Sequence, residues 1–304
     1  MYDYKDLENN MIPARFVSLI AGIDASKALV EVYRSDHEML FEDLQKSASL
    51  MMRKRVYTDR KKSSGFPGYC KVMERIRNDS KEDSFTVHGI LKIHREILGN
   101  NDSAWRREAL PGRVTPGEII KSLEELCIAY QKAKEYERIH LLLLVPRVLY
   151  DFSYIAPFSE GNEVLMEILA QLLLTENGYV AGRYISLEKE KIDKVSWEYA
   201  QDGEQAEILF TEQFLLGLKE CYLKLVERYD RMKERKPTKK MRIEAIIMES
   251  PEPISKAEIL KCLPDVSETT VEAHLSVLCK KGMIERLGTL KDAAYRKRAK
   301  QETT

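Results

Sequence analysis

The stretch from residue 155 to residue 164, Ile-Ala-Pro-Phe-Ser-Glu-Gly-Asn-Glu-Val, constrains this chain more than any other. Pro, Ser and Gly in its middle predict a short loop, and the apolar run from Leu165 to Leu174 predicts a helix directly after it. A loop that ends in Gly-Asn at a helix start leaves backbone N–H groups unpaired at the positive end of the helix dipole. The sequence therefore predicts a backbone geometry that suits a phosphate group.

Most of the chain has the periodicity of helices. Apolar residues recur at three- and four-residue steps through the first 230 residues, and none of this part shows a sustained two-residue alternation. The first domain is therefore predicted to be nearly all α. Helices are expected in 12–60 with a turn at Asp24–Ser26, and in 85–98, 116–133, 139–152 with a kink or break at Pro146, and 207–233.

The composition is that of a folded cytoplasmic protein with room for two domains. The chain has 304 residues, of which 32% are charged, and no apolar run approaches the roughly 18 residues of a membrane span. The first residues include acids and no apolar stretch, so we expect no signal peptide. Five scattered cysteines without a C-x-x-C pair favour free thiols over a metal or catalytic role.

A charge asymmetry divides the chain. Residues 231–304 carry 17 Lys and Arg against 11 Asp and Glu, a net charge of +6, whereas residues 1–230 carry 32 against 38, a net of −6. The basic, proline-containing segment 233–240 is the predicted linker. An acidic body with a basic end is typical of a protein with an attached binding module.

The segment after the linker predicts an α+β module. Its pattern indicates a helix at 241–248, a second helix capped by Ser255 and a third capped by Ser267 and ended by Gly282. Two strands, 283–287 and 293–296, form the predicted hairpin.

This order of elements resembles the winged helix-turn-helix family of DNA-binding domains over 241–304. The resemblance implies that the helix after Ser267 enters the major groove. Candidate contacts to bases or phosphates are Thr269, Thr270 and His274, which are expected on the outer face. Wing and tail contacts to phosphate are Lys291, Arg296, Lys297 and Arg298. Such modules also serve as protein-binding or dimerisation units. Glu268 and Glu272 on the third helix would repel the phosphates of DNA, so binding to a protein partner is an alternative.

The stretch 156–164 resembles the defining motif of the Fic family, H-P-F-x-(D/E)-G-N-G-R. Upstream, residues 89–94 and Arg106-Arg107 are similar to the family's helix and loop before the substrate flap. The resemblance covers about 10–230, and we expect an N-terminal helical region at 1–80 and a Fic-like core at 81–232. The implied fold is a mainly α, Fic-type helical domain followed by the small α+β module. Members of this family mostly transfer AMP from ATP to a hydroxyl of a target protein.

The resemblance assigns a role to each position of the motif, and three positions depart from it. Ala156 stands at the place of the histidine base, and a methyl group cannot take a proton. Val164 replaces the arginine that clamps the phosphates, and Glu163 replaces a glycine and adds a negative charge there. Glu160 keeps the acidic position that binds Mg²⁺. The candidate nucleotide-binding residues are Gly161, Asn162 and Glu163.

These departures predict a Fic-type protein with a degraded catalytic motif. We expect it to act as a regulator that binds DNA or a protein partner, with weak or no AMP transfer. Binding of ATP and Mg²⁺ is expected to be weak or absent, and a homodimer is a further expected assembly. The alternative hypothesis is a divergent Mg²⁺-dependent protein adenylyltransferase. Tyr154, His140 and Glu163 are the neighbouring groups considered as substitute bases. Residues 47–52 are the nearest match to the family's inhibitory helix, with Met51 at the place of its glutamate.

Overall fold

The computed structural model describes residues 2–4, 6–9, 12–58, 66–78, 83–99, 104–185, 204–233, 238–288 and 293–298. The described part is mainly helical, with a small three-stranded antiparallel sheet near its C-terminal end. The predicted fold class, a helical domain followed by a small α+β module, is confirmed.

The helical body contains ten helices among the described residues. They are α1 (Asp6–Asn9), α2 (Ala14–Asp36), α3 (Glu38–Thr58), α4 (Tyr69–Arg77), α5 (Val87–Ile97), α6 (Ile119–Tyr136), α7 (Leu141–Ile155), α8 (Asn162–Glu176), α9 (Ala181–Tyr184) and α10 (Glu204–Lys233). A single 3₁₀ turn, Pro116–Glu118, leads into α6, with proline at its first position as the Thr-Pro sequence predicts.

The predicted turn at Asp24–Ser26 is wrong, because α2 runs unbroken through these residues. The side chains that favour a turn make bonds that are compatible with the helix. Asp24 accepts hydrogen bonds from the hydroxyl of Tyr179 at 2.8 Å and from the ring of His140 at 3.0 Å, both far along the chain. Ser26 donates to the carbonyl of Gly22, one turn back in α2, at 2.8 Å. Neither side chain therefore draws the backbone into a turn.

The predicted kink at Pro146 does not interrupt α7, which is continuous from Leu141 to Ile155. The helix lies in the centre of the body, and the residues around the proline, from Leu142 to Val145, are buried. Packing on all sides offsets the backbone hydrogen bond that proline cannot make. The equally buried α8 packs against α7, so the loop between them is held by the most buried part of the protein.

The C-terminal module has a helix–strand–helix–helix–hairpin order. Its elements are α11 (Lys239–Glu249), β1 (Ile254–Ser255), α12 (Lys256–Cys262), α13 (Glu268–Lys280), β2 (Ile284–Leu287) and β3 (Ala294–Lys297). The sheet order is β1-β3-β2, with Ile254 opposite Tyr295 and Arg286 opposite Tyr295 on the other side. Ser255 caps α12 and Ser267 caps α13, as predicted. At α12, Glu258 completes a capping box with Ser255. The two-residue strand β1 was not predicted, because it is too short to show a period.

This module packs against α3 of the body through a buried ion pair. Arg242 of α11, 6% exposed as a residue, donates to both carboxylate oxygens of Asp43 in α3 and also to Asp265 before α13, at 2.7 and 2.9 Å. Beside it, the ammonium group of Lys54 donates to the carbonyl of Pro253 at 2.6 Å. Met51 of α3 completes the apolar core of the module.

In the part of the chain that the structure describes, no helix has the length and apolar character needed to cross a membrane.

Candidate functional site

The loop between α7 and α8 changes direction at two left-handed residues. Ala156 ends α7 with φ 43° and ψ 65°, and its N–H donates to the carbonyl of Phe152 at 3.0 Å. Gly161 precedes α8 with φ 77°. A left-handed alanine is uncommon, and histidine is among the few non-glycine residues enriched there. The backbone at 156 therefore has a conformation that a histidine could adopt.

Gly161 is required by space as well as by its backbone angle. A Cβ atom at this position would lie 3.0 Å from a ring carbon of Phe66 and 3.2 Å from Nε2 of His94. Any side chain would push two aromatic rings away from the loop. The tight approach explains why glycine occurs here.

Asn162 closes the loop on itself. Its side-chain oxygen accepts from the N–H of Phe158 at 3.0 Å, and its amide nitrogen donates to the carbonyl of Phe158 at 2.7 Å. One side chain thus satisfies both backbone polar groups of a buried residue. Asn162, which sequence reasoning assigned to nucleotide binding, holds the loop in shape.

Arg106 fixes the loop from the opposite side. Its guanidinium group donates to the carbonyl oxygens of Ala156 at 2.9 Å, Ile155 at 3.1 Å, Val114 at 2.6 Å and Glu108 at 2.5 Å. Burial, together with the charge of Arg113, lowers the pKa of this arginine. Since four of its five N–H donors are taken by backbone carbonyl groups, Arg106 stabilises the end of α7.

Three stacked rings support the floor of the loop. The ring of Phe158 lies between His94, at a centroid distance of 3.7 Å, and Trp105, at 4.9 Å. Nε2 of His94 lies 2.9 Å from the carbonyl oxygen of Glu160. A backbone bridge between Trp105 and Phe158 joins this loop to the segment before α6. His94, which the sequence predicts to be a core or surface residue, is a buried support of the motif.

We expect His94 to make the protein less stable at acidic pH. Burial lowers the pKa of its ring, although the bond to Glu160 opposes this. As pH falls below about 6.5, the unfolded chain takes up a proton that the folded ring resists, so the free energy of unfolding falls until the folded pKa is passed. Denaturant unfolding at several pH values between 7.5 and 5 would measure this.

His94→Gln is predicted to flatten that pH dependence. His88→Gln is the matched control, because His88 is exposed on the same helix. An equal effect of both substitutions would contradict a special role for His94.

A cavity of about 590 Å³ opens beside the loop. Its walls come from the loop itself, from the start of α8 and from the segment 104–110. The lining residues are Phe66, Ala104, Trp105, Arg106, Arg107, Glu108, Leu110, Ala156, Phe158, Ser159, Gly161, Asn162, Glu163 and Val164. The motif predicted where the cavity lies. It did not predict that Phe66 and Leu110 line the cavity, because only the tertiary fold brings these two residues to the loop.

The residues that line this cavity fit a bound nucleotide phosphate poorly. The methyl group of Ala156 and the isopropyl group of Val164 stand where the resemblance implies a base and a phosphate clamp. Glu163 lies in the first turn of α8, so its carboxylate already complements the helix dipole. The side chain of Glu160 is exposed, and within the described residues no three potential ligands cluster to hold a metal ion. Mg²⁺ needs only one or two carboxylates where substrate phosphates complete its shell, and Glu160 is the carboxylate at the position that the resemblance assigns to it.

Of the three residues that the sequence offers as substitute bases, Glu163 is the one found in the cavity lining. His140 caps α7 and contacts Asp24, and Tyr154 is half-exposed outside the lining. Met51, at the place of the inhibitory glutamate, packs in the core of the C-terminal module and not at the cavity.

The candidate DNA contacts differ in exposure. Thr269 is exposed and Thr270 is half-buried, with its hydroxyl 2.8 Å from that of the cap Ser267. His274 was expected on the outer face, and this is wrong. It is only 8% exposed, because it shares the inner face with Val271 and Leu278, one turn away on each side.

The basic residues of the hairpin lie at the surface. Arg296, Lys297 and Arg298 are exposed, and Nε of Arg296 lies 2.5 Å from a carboxylate oxygen of Glu285 on the neighbouring strand. Lys291 lies outside the described residues.

Comparison with known proteins bears on this geometry. No model of a protein family and no curated protein matches the chain. Among solved structures, the chain is similar to a Fic family protein from Desulfovibrio desulfuricans G20. The alignment has 19% identity and a TM-score of 0.50, and covers 96% of this chain and 98% of that one. The chain has a Fic fold. At this identity the likeness concerns the fold alone, and the Fic-type fold expected from the motif is confirmed.

In this Fic-fold chain, the loop, its turn at Gly161 and the cavity beside it are all present. At the three positions where the resemblance implies a base and phosphate-binding groups, the chain has Ala156, Glu163 and Val164.

Proposed function

We propose that this Fic-fold protein is a regulator that does not transfer AMP and that binds DNA through its C-terminal module. The proposal takes that module, 241–304, as a winged helix joined through the linker 233–240. The observation that carries it is the order of its elements, with α13 exposed beside a three-stranded sheet in the order β1-β3-β2. A helix next to a basic hairpin is the arrangement with which such modules enter the major groove.

The position of the module on the body leaves its binding side open. Contact with α3 is made by Arg242, Lys54 and the core around Met51, at the side of α11 and α12. The outer positions of α13, among them Thr269, Ser276 and Val277, remain exposed. As far as the described residues are concerned, the proposed approach of DNA to α13 does not require the module to leave the body.

The two acidic residues of α13 share one lysine, which offsets one of their two negative charges. Nζ of Lys256 lies 2.6 Å from a carboxylate oxygen of Glu268 and 2.5 Å from one of Glu272. The repulsion that these two acids would give a polyanion is thereby reduced. We expect Lys297 and Arg298 at the hairpin to contact DNA phosphates. The affinity for DNA should therefore decrease strongly as the salt concentration rises.

Binding of random-sequence duplex DNA, followed by fluorescence anisotropy at several salt concentrations, tests this. The double substitution Lys297→Glu with Arg298→Glu should weaken binding and reduce the slope of log affinity against log salt by about 2, since two phosphate contacts are lost. Lys121→Glu with Lys132→Glu on α6 makes the same change of charge on the body and should have little effect.

Two results would overturn DNA binding. One is the absence of binding by the unmodified protein at low salt. The other is an equal loss in both double substitutions, which would indicate attraction by overall charge alone. Either result would favour the protein-partner function of the same surface.

The alternative function, AMP transfer with Mg²⁺, is favoured by one observation. The cavity is open, and the carboxylate of Glu163 at its wall could accept a proton. Against it stand the same negative charge, where a triphosphate would bind, and the lack of a cation at Val164.

A further inference from the structure

The helices α2 and α10 form a parallel pair along one side of the body. Near their starts, Nε of Arg15 lies 2.9 Å from a carboxylate oxygen of Glu212. Near their ends, the hydroxyl of Tyr33 donates to Asp230 at 3.2 Å, and the ring of Tyr33 stacks on Tyr229 at 3.6 Å. These contacts hold the two helices side by side over nearly the whole of α2.

The solvent side of α2 carries a row of small residues, which we call the small row. It consists of Ala14, Ser18, Ala21, Ala25 and Ala28, all of them exposed. Their alternating spacing of four and three residues is the pattern of a seam where one helix packs on another. Surface helices ordinarily place charged residues at such positions. The small row has no charge and no partner within the described chain.

The solvent side of α10 carries a matching row of large residues, which we call the leucine row. Leu209, Leu216 and Leu223 are 37%, 43% and 46% exposed, and they recur every seven residues. The contacts of Arg15 with Glu212 and of Gly22 with Lys219 place Leu216 between the levels of Ser18 and Ala21 along the helix pair. Leu29 and Val32 of α2, 38% and 55% exposed, extend the apolar surface toward the ends of the helices.

A ridge of leucines next to a trough of small residues makes this face complementary to itself. Both rows have the same seven-residue repeat, so the ridge of one chain can lie in the trough of an identical chain. A symmetric, isologous dimer requires one surface that contains both complementary parts, here the leucine row and the small row. A different partner would have to supply the same two rows.

The size of the face agrees with a stable dimer. The 23 residues of α2 span about 34 Å at 1.5 Å per residue, and two helices side by side are about 20 Å wide. The footprint is then roughly 700 Å² for each copy, close to the ~800 Å² per partner of a standard interface.

We infer that the small row and the leucine row bind the same rows of a second copy of the chain, so that α2 and α10 of both copies form a four-helix bundle. Two charges lie near the centre of this face. Glu220, whose side chain is 47% exposed, lies between Leu216 and Leu223 on the same side of α10. The side-chain Cε of Lys219 would lie 3.4 Å from a Cβ atom placed on Gly22. Burying these charges costs desolvation free energy, which the apolar contacts of the two rows must offset.

Sedimentation velocity of the full chain over a range of concentrations tests this inference. The unmodified protein should be a dimer at about 100 µM, where an interface of this size is expected to hold. Ala21→Glu and Leu216→Glu should each weaken association by about tenfold or more, because a charge would be buried in an apolar seam. Lys219→Met should strengthen association.

Ile128→Glu is the matched control, because Ile128 is 54% exposed on α6, away from both rows. It should leave association unchanged, and circular dichroism should show that every variant remains helical. A monomer at about 100 µM would overturn the inference. A Leu216→Glu variant that is folded and associates as the unmodified protein does would also overturn it.

Discussion

Arg242→Ala is expected to lower the free energy of unfolding by about 3–5 kcal/mol, as the loss of one partner from a buried ion pair does. The carboxylate of Asp43 would stay in the interior, 6% exposed, without the guanidinium that now donates to both of its oxygens. Burial by itself lowers the pKa of Arg242, but its bonds to Asp43 and Asp265 outweigh that and raise it. Urea unfolding at neutral pH would measure the loss.

Arg296→Ala is the matched control for this experiment. It also removes an arginine from an ion pair, but its partner Glu285 is at the surface, and exposed pairs contribute about 0–1 kcal/mol. Replacing both partners, Arg242→Met with Asp43→Leu, should recover much of the stability because no charge is left buried. Similar losses for Arg242→Ala and Arg296→Ala would show that the contact between the module and α3 does not depend on this pair.

The fold could be predicted from the sequence wherever a local pattern decided it. Periodicity gave the long helices, and the caps at Ser255 and Ser267 and the stop at Gly282 gave the bounds of the module's helices. The prediction failed where distant partners override local preference. Asp24 is a residue type that favours turns, yet its side chain bonds Tyr179 and His140 and α2 continues through it. His274 is polar, yet its position on α13 buries it.

The candidate site divides in the same way. Motif spacing located Ala156, Gly161 and Asn162, and the left-handed turn at Gly161 follows from residue type. The bonds of Arg106 to the carbonyl groups of Ile155 and Ala156 join segments about 50 residues apart in the chain, and the stack of His94 on Phe158 joins segments about 60 residues apart. No local pattern carries information on such contacts, because they depend on how the body packs.

The second large effect is expected from restoring the motif. The combined substitution Ala156→His, Glu163→Gly and Val164→Arg should give the protein measurable affinity for ATP with Mg²⁺. Val164→Arg would place a cation in the cavity, and Glu163→Gly would remove the carboxylate from the start of α8. A histidine at 156 meets a backbone with φ 43°, which it tolerates, and a general base adds about 10²–10⁴ to a transfer rate.

Glu163→Gln alone is the informative intermediate. It removes the charge and keeps the size of the side chain, so any gain in ATP affinity reports the repulsion by that carboxylate. We expect this gain to be smaller than that of the combined substitution, because the cavity would still lack an arginine at 164.

Calorimetric titration of ATP with Mg²⁺ into the unmodified protein, beside the combined variant, compares the motif as it stands with the restored motif. If the Fic-fold loop and cavity persist while the groups for AMP transfer are gone, the unmodified protein gives no saturable heat and the variant binds ATP clearly. Binding by the unmodified protein as tight as that of the variant, with AMP transferred to a protein hydroxyl, would contradict the proposed loss of these groups.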